Sequence, residues 1–179
     1  MKLLSASVAL TLGLTAAPAL AFDVVGCVGA NLGILQDPRT CPSDRRIEAI
    51  SVSVNFQNPL TSQYGQGGSN ATQPIPSELK LAKRPDGTSA TLFRNSVQGT
   101  VVPRLLIAVF DRESRAGGQR LFSILLTDVN VSRFEISATD TGRTGTPTEL
   151  ASFQYAAFQF LDDRTGQAYG YNFRTSQSF

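Results

Sequence analysis

Between residues 47 and 56 the chain alternates: Ile50, Val52, Val54 and Phe56 are separated by Ser51, Ser53 and Asn55. A period of two puts successive side chains on opposite faces of an extended strand, so this stretch predicts one buried and one wetter face. Residues 23–28 read as a first strand, and residues 78–83 as a short one with Leu79 and Leu81 on one face. Val101–Asp111 and residues 119–136 read as long strands on either side of Ala116-Gly117-Gly118, a hairpin signal. Residues 148–161 form another, with Phe153 and Tyr155 on one face and Phe158 and Phe160 on the other; the change of face predicts a bulge or twist at Ala156 and Ala157. A turn from Asp162 to Gly166 leads into residues 168–175, where Tyr169, Tyr171 and Phe173 alternate. One good helix candidate remains, Ser89–Gln98, with Thr88 or Ser89 as its cap, Ala90, Phe93 and Val97 along one face, and Gly99 as its stop. The predicted fold class is mainly β: an antiparallel β-barrel or sandwich with one short flanking α-helix.

The first 21 residues stand apart. Met1-Lys2 supply a short positive start, Leu3 to Ala17 are almost wholly apolar or small, and Ala19-Leu20-Ala21 follows Pro18 as an A-x-A cleavage signature. This predicts a secretory signal peptide over 1–21, cut between Ala21 and Phe22, and a secreted or periplasmic single domain over 22–179. A membrane anchor is disfavoured, because the run is short and rich in Ala, Ser and Thr; no later stretch reaches the roughly 18 apolar residues a membrane helix needs. Export makes sense of the two cysteines, Cys27 and Cys41, which read as one disulfide. Two thiolates without an imidazole make a poor zinc site. Closing a loop of about 15 residues is worth roughly 3 kcal/mol in the chain-entropy picture. The core strands are expected to begin after that loop, so the barrel is expected to survive loss of the bond.

Chemistry is sparse. The chain has no His, which removes Ser-His-Asp and Cys-His catalysis, the zincin motif and imidazole metal sites. Sixteen basic residues face 14 acidic ones, a balance that points to neither nucleic acid nor an anionic membrane. No G-x-S-x-G or Ser-x-x-Lys occurs, and Gly65-Gln66-Gly67-Gly68 lacks the strand-to-helix setting and the Lys of a phosphate loop. Asp162 and Asp163 at a turn read as a polar hairpin rather than a calcium or acid–base site. Asp128, inside a strand-like run, reads as a carboxylate bonded to an Arg or to backbone amides rather than as a lone catalytic acid. No cofactor, metal or catalytic residue is expected.

Two features point to partners instead. Residues 57–76 form a long Gly-rich loop with Tyr64 and Ile75 as its apolar anchors. Arginines outnumber lysines 13 to three, and Arg45, Arg46, Arg112, Arg115 and Arg120 read either as surface ion pairs or as subunit-interface residues. Apolar residues also fill both faces of several strands, as in Leu121/Leu125 against Phe122/Ile124/Leu126; one face fills the barrel, and the other needs the helix or a neighbouring subunit.

The order of these pieces resembles a family. The run from Arg46 to Val54, Leu92 to Arg104, the stretch around Leu126-Thr127-Asp128-Val129, and Pro147-Thr148-Glu149 leading to Phe160 are similar, in sequence order, to the hemolysin-coregulated protein (Hcp) family, the tube component of type VI secretion. The resemblance implies a β-barrel with one flanking helix, no enzymatic activity, and a homohexameric ring whose copies stack into a hollow tube with room for an effector or cargo protein. It also implies that the 57–76 loop, through Tyr64, Gly65, Gly67, Gly68 and Ile75, contributes to contacts between stacked rings. The leader departs from the family, whose ordinary members load from the cytoplasm. The alternative expectation is an exported binding module that holds a small protein or ligand and forms no tube.

Overall fold

The computed structural model describes residues 22–57, 75–112, 118–138 and 147–179. Among these are β1 (Phe22–Gly29), β2 (Arg46–Ser53), β3 (Phe56–Gln57), β4 (Ile75–Pro76), β5 (Leu79–Lys83), the helix α1 (Ser89–Gln98), β6 (Val101–Asp111), β7 (Gln119–Ser137), β8 (Thr148–Gln154), β9 (Ala157–Asp162), β10 (Gln167–Asn172) and β11 (Gln177–Ser178). The predicted leader, the body of the 57–76 loop with Tyr64, Gly65, Gly67 and Gly68, and Arg115 lie outside the described residues; the backbone of Ile75 pairs with Gln57.

Every pairing is antiparallel, and the sheet closes on itself. The strand order is β11-β10-β9-β7-β6-β1-β2-β5-β8, and β8 returns to pair with β7. Six strands thus form a barrel, and β9, β10 and β11 extend from it as a wing. The 19-residue β7 makes both parts possible. Its first half pairs with β9, Phe122↔Asp162 to Thr127↔Ala157, and its second half with β8, Asn130↔Gln154 to Ser137↔Thr148.

The join between the halves is a backbone event. Asp128 has φ 53°, a left-handed conformation that costs a non-Gly residue energy unless a short polar side chain stabilises it. Its carboxylate sits 3.3 Å from the Arg174 guanidinium, as expected of a strand Asp with an Arg partner. Opposite it the predicted strand 148–161 breaks at Tyr155 and Ala156, beside the expected bulge. The break resets the parity, so Phe153, Tyr155 and Phe158 all join one core instead of lying on opposite faces.

Around these rings that core is mostly aliphatic. Ile47, Leu79, Leu81, Ile107 and Leu126 are fully buried, each worth about 1.5–3 kcal/mol of transfer free energy. Gly26 lies against the Ile47 side chain, where an added Cβ would come within 3.3 Å. In β2 the alternation is cut by a register shift between Ala49 and Ser51. Ile47 therefore points in and Ile50 is 56% exposed, whereas Ile50 was expected on the buried face.

The outer face of the sheet has its own cover. Leu106, Ala108, Phe110 and Leu125 are buried on the side away from the barrel interior. The segment between β1 and β2 folds over this side, its 3₁₀ turn Pro38–Thr40 packing on β1 and β6. The Cys27–Cys41 disulfide fastens it. Arg39 lies 4.0 Å above the Phe110 ring and pairs with Asp37 at 2.7 Å. Neither a helix nor a neighbour is needed there. Cys27 lies within β1, at the middle of the barrel, so the core strands begin before the loop and not after it.

α1 has its predicted limits and its Gly99 stop, at φ 65°. Its orientation differs from expectation. Leu92 and Asn95 face inward, while Phe93 is 53% and Val97 71% exposed. The expected Thr88 or Ser89 side-chain cap is also absent, because both hydroxyls are engaged elsewhere.

Candidate functional site

The residues that engage Thr88 and Ser89 form a buried ion cluster. Lys83 continues the parity of Leu79 and Leu81, so it points into the protein and is 0% exposed. Its Nζ lies 2.5 Å from Glu149 Oε2 and 3.0 Å from Asp86 Oδ1, and donates to Ser89 Oγ at 3.0 Å. An ammonium has three donors, and all three have partners. Ser89 Oγ donates in turn to Glu149 Oε2 at 2.8 Å, and the Thr88 hydroxyl donates to Asp86 Oδ1 at 2.6 Å. The cluster joins β5, β8, the Asp86 turn and the first turn of α1, and so ties the β5–β8 pair of the barrel to the helix. Fixing Ser89 in this way fixes the rotation of α1 and sends Phe93 and Val97 outward.

The second feature is an aromatic groove on the inner face of the wing. Strand register assembles it, across the non-consecutive pair β7–β9 and the hairpin β9–β10: Ile124 pairs with Phe160 and Phe160 with Tyr169, while Leu126 pairs with Phe158 and Phe158 with Tyr171. Ile124, Phe158, Phe160, Tyr169 and Tyr171, with Val54, Phe122 and Phe173, line a cavity of about 520 Å³ that no charged side chain enters, and Leu126 lies buried beside it. The rings pack edge to face or tilted: Phe122 to Phe160 at 5.7 Å and Tyr171 to Phe173 at 5.1 Å between centroids. Phe160 and Tyr169, at the rim, remain 37% and 52% exposed. Behind the groove Tyr155 packs on Phe173; burial pushes its phenol up to about 12.

The sequence-predicted site residues divide. Cys27 and Cys41 are joined. Arg120 binds Asp163 at 2.6 Å and donates to the Leu35 and Gln36 carbonyls, and Arg112 pairs with Asp23, so both serve contacts within the chain. Arg46 pairs with Glu48 at 3.2 Å, and Arg45 is exposed in the turn before β2. Asp162 Oδ1 accepts the Arg164 and Thr165 backbone N–H groups as a polar hairpin turn, and the Arg164 amide holds its carboxyl below the usual range. Among the described residues no group of three or more His, Cys, Asp or Glu could hold a metal ion.

Sequence reasoning missed Lys83 and Glu149. The signal was present, since Leu79-x-Leu81-x-Lys83 and Glu149-x-Ala151-x-Phe153 continue an inward parity through a charge. The groove residues were each legible, but the register that unites them was not.

Comparison with known proteins agrees with this architecture. A family model described as type VI secretion system effector, Hcp, matches residues 41–161. A solved structure of a type six secretion system protein superposes with a TM-score of 0.71 at 23% identity, covering 89% of this chain and 100% of its own. Hcp1 from Salmonella typhimurium gives 0.67 at 17%, over 89% and 99%. The secreted protein Hcp3 from Pseudomonas aeruginosa gives 0.61 at 10%, over 85% and 98%. No curated protein sequence matches the chain.

Proposed function

Because this chain belongs to the Hcp family of type VI secretion proteins, we propose that it is an exported structural subunit that assembles into hexameric rings or hollow tubes. Family membership carries the reading. The barrel with one flanking helix supports it, as do the apolar surfaces left uncovered on the helix and the wing. The Cys27–Cys41 disulfide and the 1–21 leader support export, since a structural disulfide persists in an oxidising compartment. In this reading the leader is removed before Phe22, assembly takes place outside the cytoplasm, the ring lumen accommodates an effector or cargo protein, and the chain performs no catalysis. The 57–76 loop, with Tyr64, Gly65, Gly67, Gly68 and Ile75, governs stacking, so deletion of residues 63–72 leaves rings and abolishes tubes. Arg45, Arg46, Arg112, Arg115 and Arg120 contribute to the rim between subunits, beside the pairs that Arg46, Arg112 and Arg120 make within the chain.

A second reading has one observation in its favour. The 520 Å³ groove falls within the size range of small-molecule sites, as a binding module would require. Electron microscopy of the purified exported protein separates the two. Rings or tubes are expected; small featureless particles at high concentration contradict the assembly reading and favour the binding module.

A further inference from the structure

Lys83 and Glu149 occupy directly paired positions on β5 and β8, and both side chains point inward. Lys83 is 0% and Glu149 2% exposed, so bulk water reaches neither. Nζ lies 2.5 Å from Oε2, one covalent bond short of the carboxyl carbon. A second carboxylate oxygen, Asp86 Oδ1, stands 3.0 Å from the same nitrogen, on a side chain that is 20% exposed. Ser89 Oγ donates to Oε2 at 2.8 Å. A nitrogen nucleophile, an acyl carbon, a proton carrier with access to solvent and a donor to the departing oxygen therefore meet in one dry place.

We propose that Lys83 and Glu149 condense into an intramolecular amide, a self-made cross-link between β5 and β8. The step balances without any co-reactant. A proton passes from the Nζ ammonium to Glu149 Oε2, which leaves a neutral amine beside a carboxylic acid. The nitrogen lone pair forms the Nζ–Cδ bond while Asp86 takes a second proton from Nζ. The Cδ–Oε2 bond then breaks, the Ser89 hydroxyl supporting the departing oxygen, and Asp86 returns its proton to release water. Ammonium and carboxylate become amide and water, with no electron gained or lost. Each molecule reacts once and turns over no substrate.

Three physical terms favour the step. Fixed contact replaces a bimolecular encounter, which is worth an effective concentration of roughly 10⁵ M or more. Condensation removes two charges whose burial is costly, and Asp86 keeps Thr88 as its partner. The water leaves past Asp86, the exposed member of the cluster. The bond spans 66 residues of sequence, including α1, β6 and β7, and reductants do not break it. Protein that has not yet condensed is ion-paired and has the energetics of an ordinary buried pair.

The test is mass spectrometry of the exported protein, held folded at neutral pH, then reduced and denatured. The expected mass falls about 18 Da, one water, below that of the sequence. Asp86 precedes Gly87, where ring closure of the backbone would remove the same mass, so the digest decides. Trypsin is expected to release peptide 81–94 joined to peptide 144–164, uncut after Lys83. Glu149→Gln keeps the size of the side chain and releases ammonia in place of water, so its loss becomes about 17 Da. Asp86→Ala removes the proton carrier and is expected to slow the bond by about 100-fold or more, with near-ultraviolet circular dichroism checking that the fold is kept. A chain that retains its full sequence mass after prolonged incubation, or a loss of one water carried by a linear peptide, overturns the proposal. So does a Glu149→Gln variant that still loses water. An unchanged rate in Asp86→Ala overturns the proton transfer through Asp86.

Discussion

Replacing Lys83 by Met keeps most of the aliphatic stem and removes the charge. Its ammonium is completely buried and touches two carboxylates and a hydroxyl, and Glu149 beneath it is 2% exposed. Without Lys83, Glu149 keeps the Ser89 hydroxyl as its one side-chain partner among the described residues, while Asp86, 20% exposed through its side chain, retains the Thr88 amide and hydroxyl. The penalty therefore falls on Glu149. Stranding one member of a buried pair costs about 3–5 kcal/mol. For a domain of this size that lowers the melting temperature by roughly 6–20 °C. The pair itself is worth far less, since replacing both charges by apolar groups is often near neutral. Lys83→Met with Glu149→Leu should accordingly recover most of the loss, to within about 2 kcal/mol of the unchanged protein. Thermal and urea denaturation of the two single variants and the double measure this coupling. Hydrogen exchange should show α1 loosened in Lys83→Met and not in remote variants of equal stability. A double variant no more stable than the single, or a single variant costing less than about 1 kcal/mol, would refute the reasoning.

Other consequences are equally direct. Tyr155 hydroxyl is buried with no hydrogen-bond partner among the described residues, so Tyr155→Phe should leave stability at neutral pH unchanged or raise it by up to about 1 kcal/mol, measured by urea denaturation. Its phenol titrates at about 12 when folded and 10 when unfolded; the neutral form favours the fold, so this contribution is full below pH 10 and is lost as pH rises towards 12. Two units are worth on the order of 2–3 kcal/mol, and Tyr155→Phe should remove this alkaline slope. Asp37 has the opposite sense: Arg39 lowers its carboxyl below 3.8, so its support of the disulfide loop is present above that value and fades as pH falls through the lowered one. Cys41→Ser should cost about 2–5 kcal/mol and loosen the cover over Phe110, and peptide mapping of the unreduced parent should link Cys27 to Cys41. Asp128→Val should cost about 1–3 kcal/mol, because a branched side chain is strained at φ 53°, whereas Asp128→Asn should be nearly neutral because the Arg174 pair is exposed.

Much of this was readable from local pattern. The period of two found the strands, and Ser89–Gln98 was placed to the residue because Gly99 and the Asp86 turn bound it. The pattern failed where a backbone device changes parity. The shift after Ala49 turns Ile50 outward, and the break at Tyr155 and Ala156 brings Phe158 to the side of Phe153. A helical wheel also assigns the inward face by hydrophobicity alone. Here the buried Lys83–Glu149 pair anchors Ser89 and overrides it, leaving Asn95 inside and Val97 outside. Long-range register was the other unreadable quantity. Nothing local states that Ile124, Phe160 and Tyr169 lie side by side, because β7 and β9 pair across the intervening β8 and only the β9–β10 register is set by a turn.

The claim that this chain is an exported, self-assembling tube subunit is met most directly by the native mass of the protein recovered from the periplasm or the medium, followed by the mass of its released subunit. The account predicts a complex of six copies, or stacks of six, each beginning at Phe22 and carrying the Cys27–Cys41 disulfide. A monomer at high concentration, or a subunit that retains Met1 and has free thiols, would contradict it.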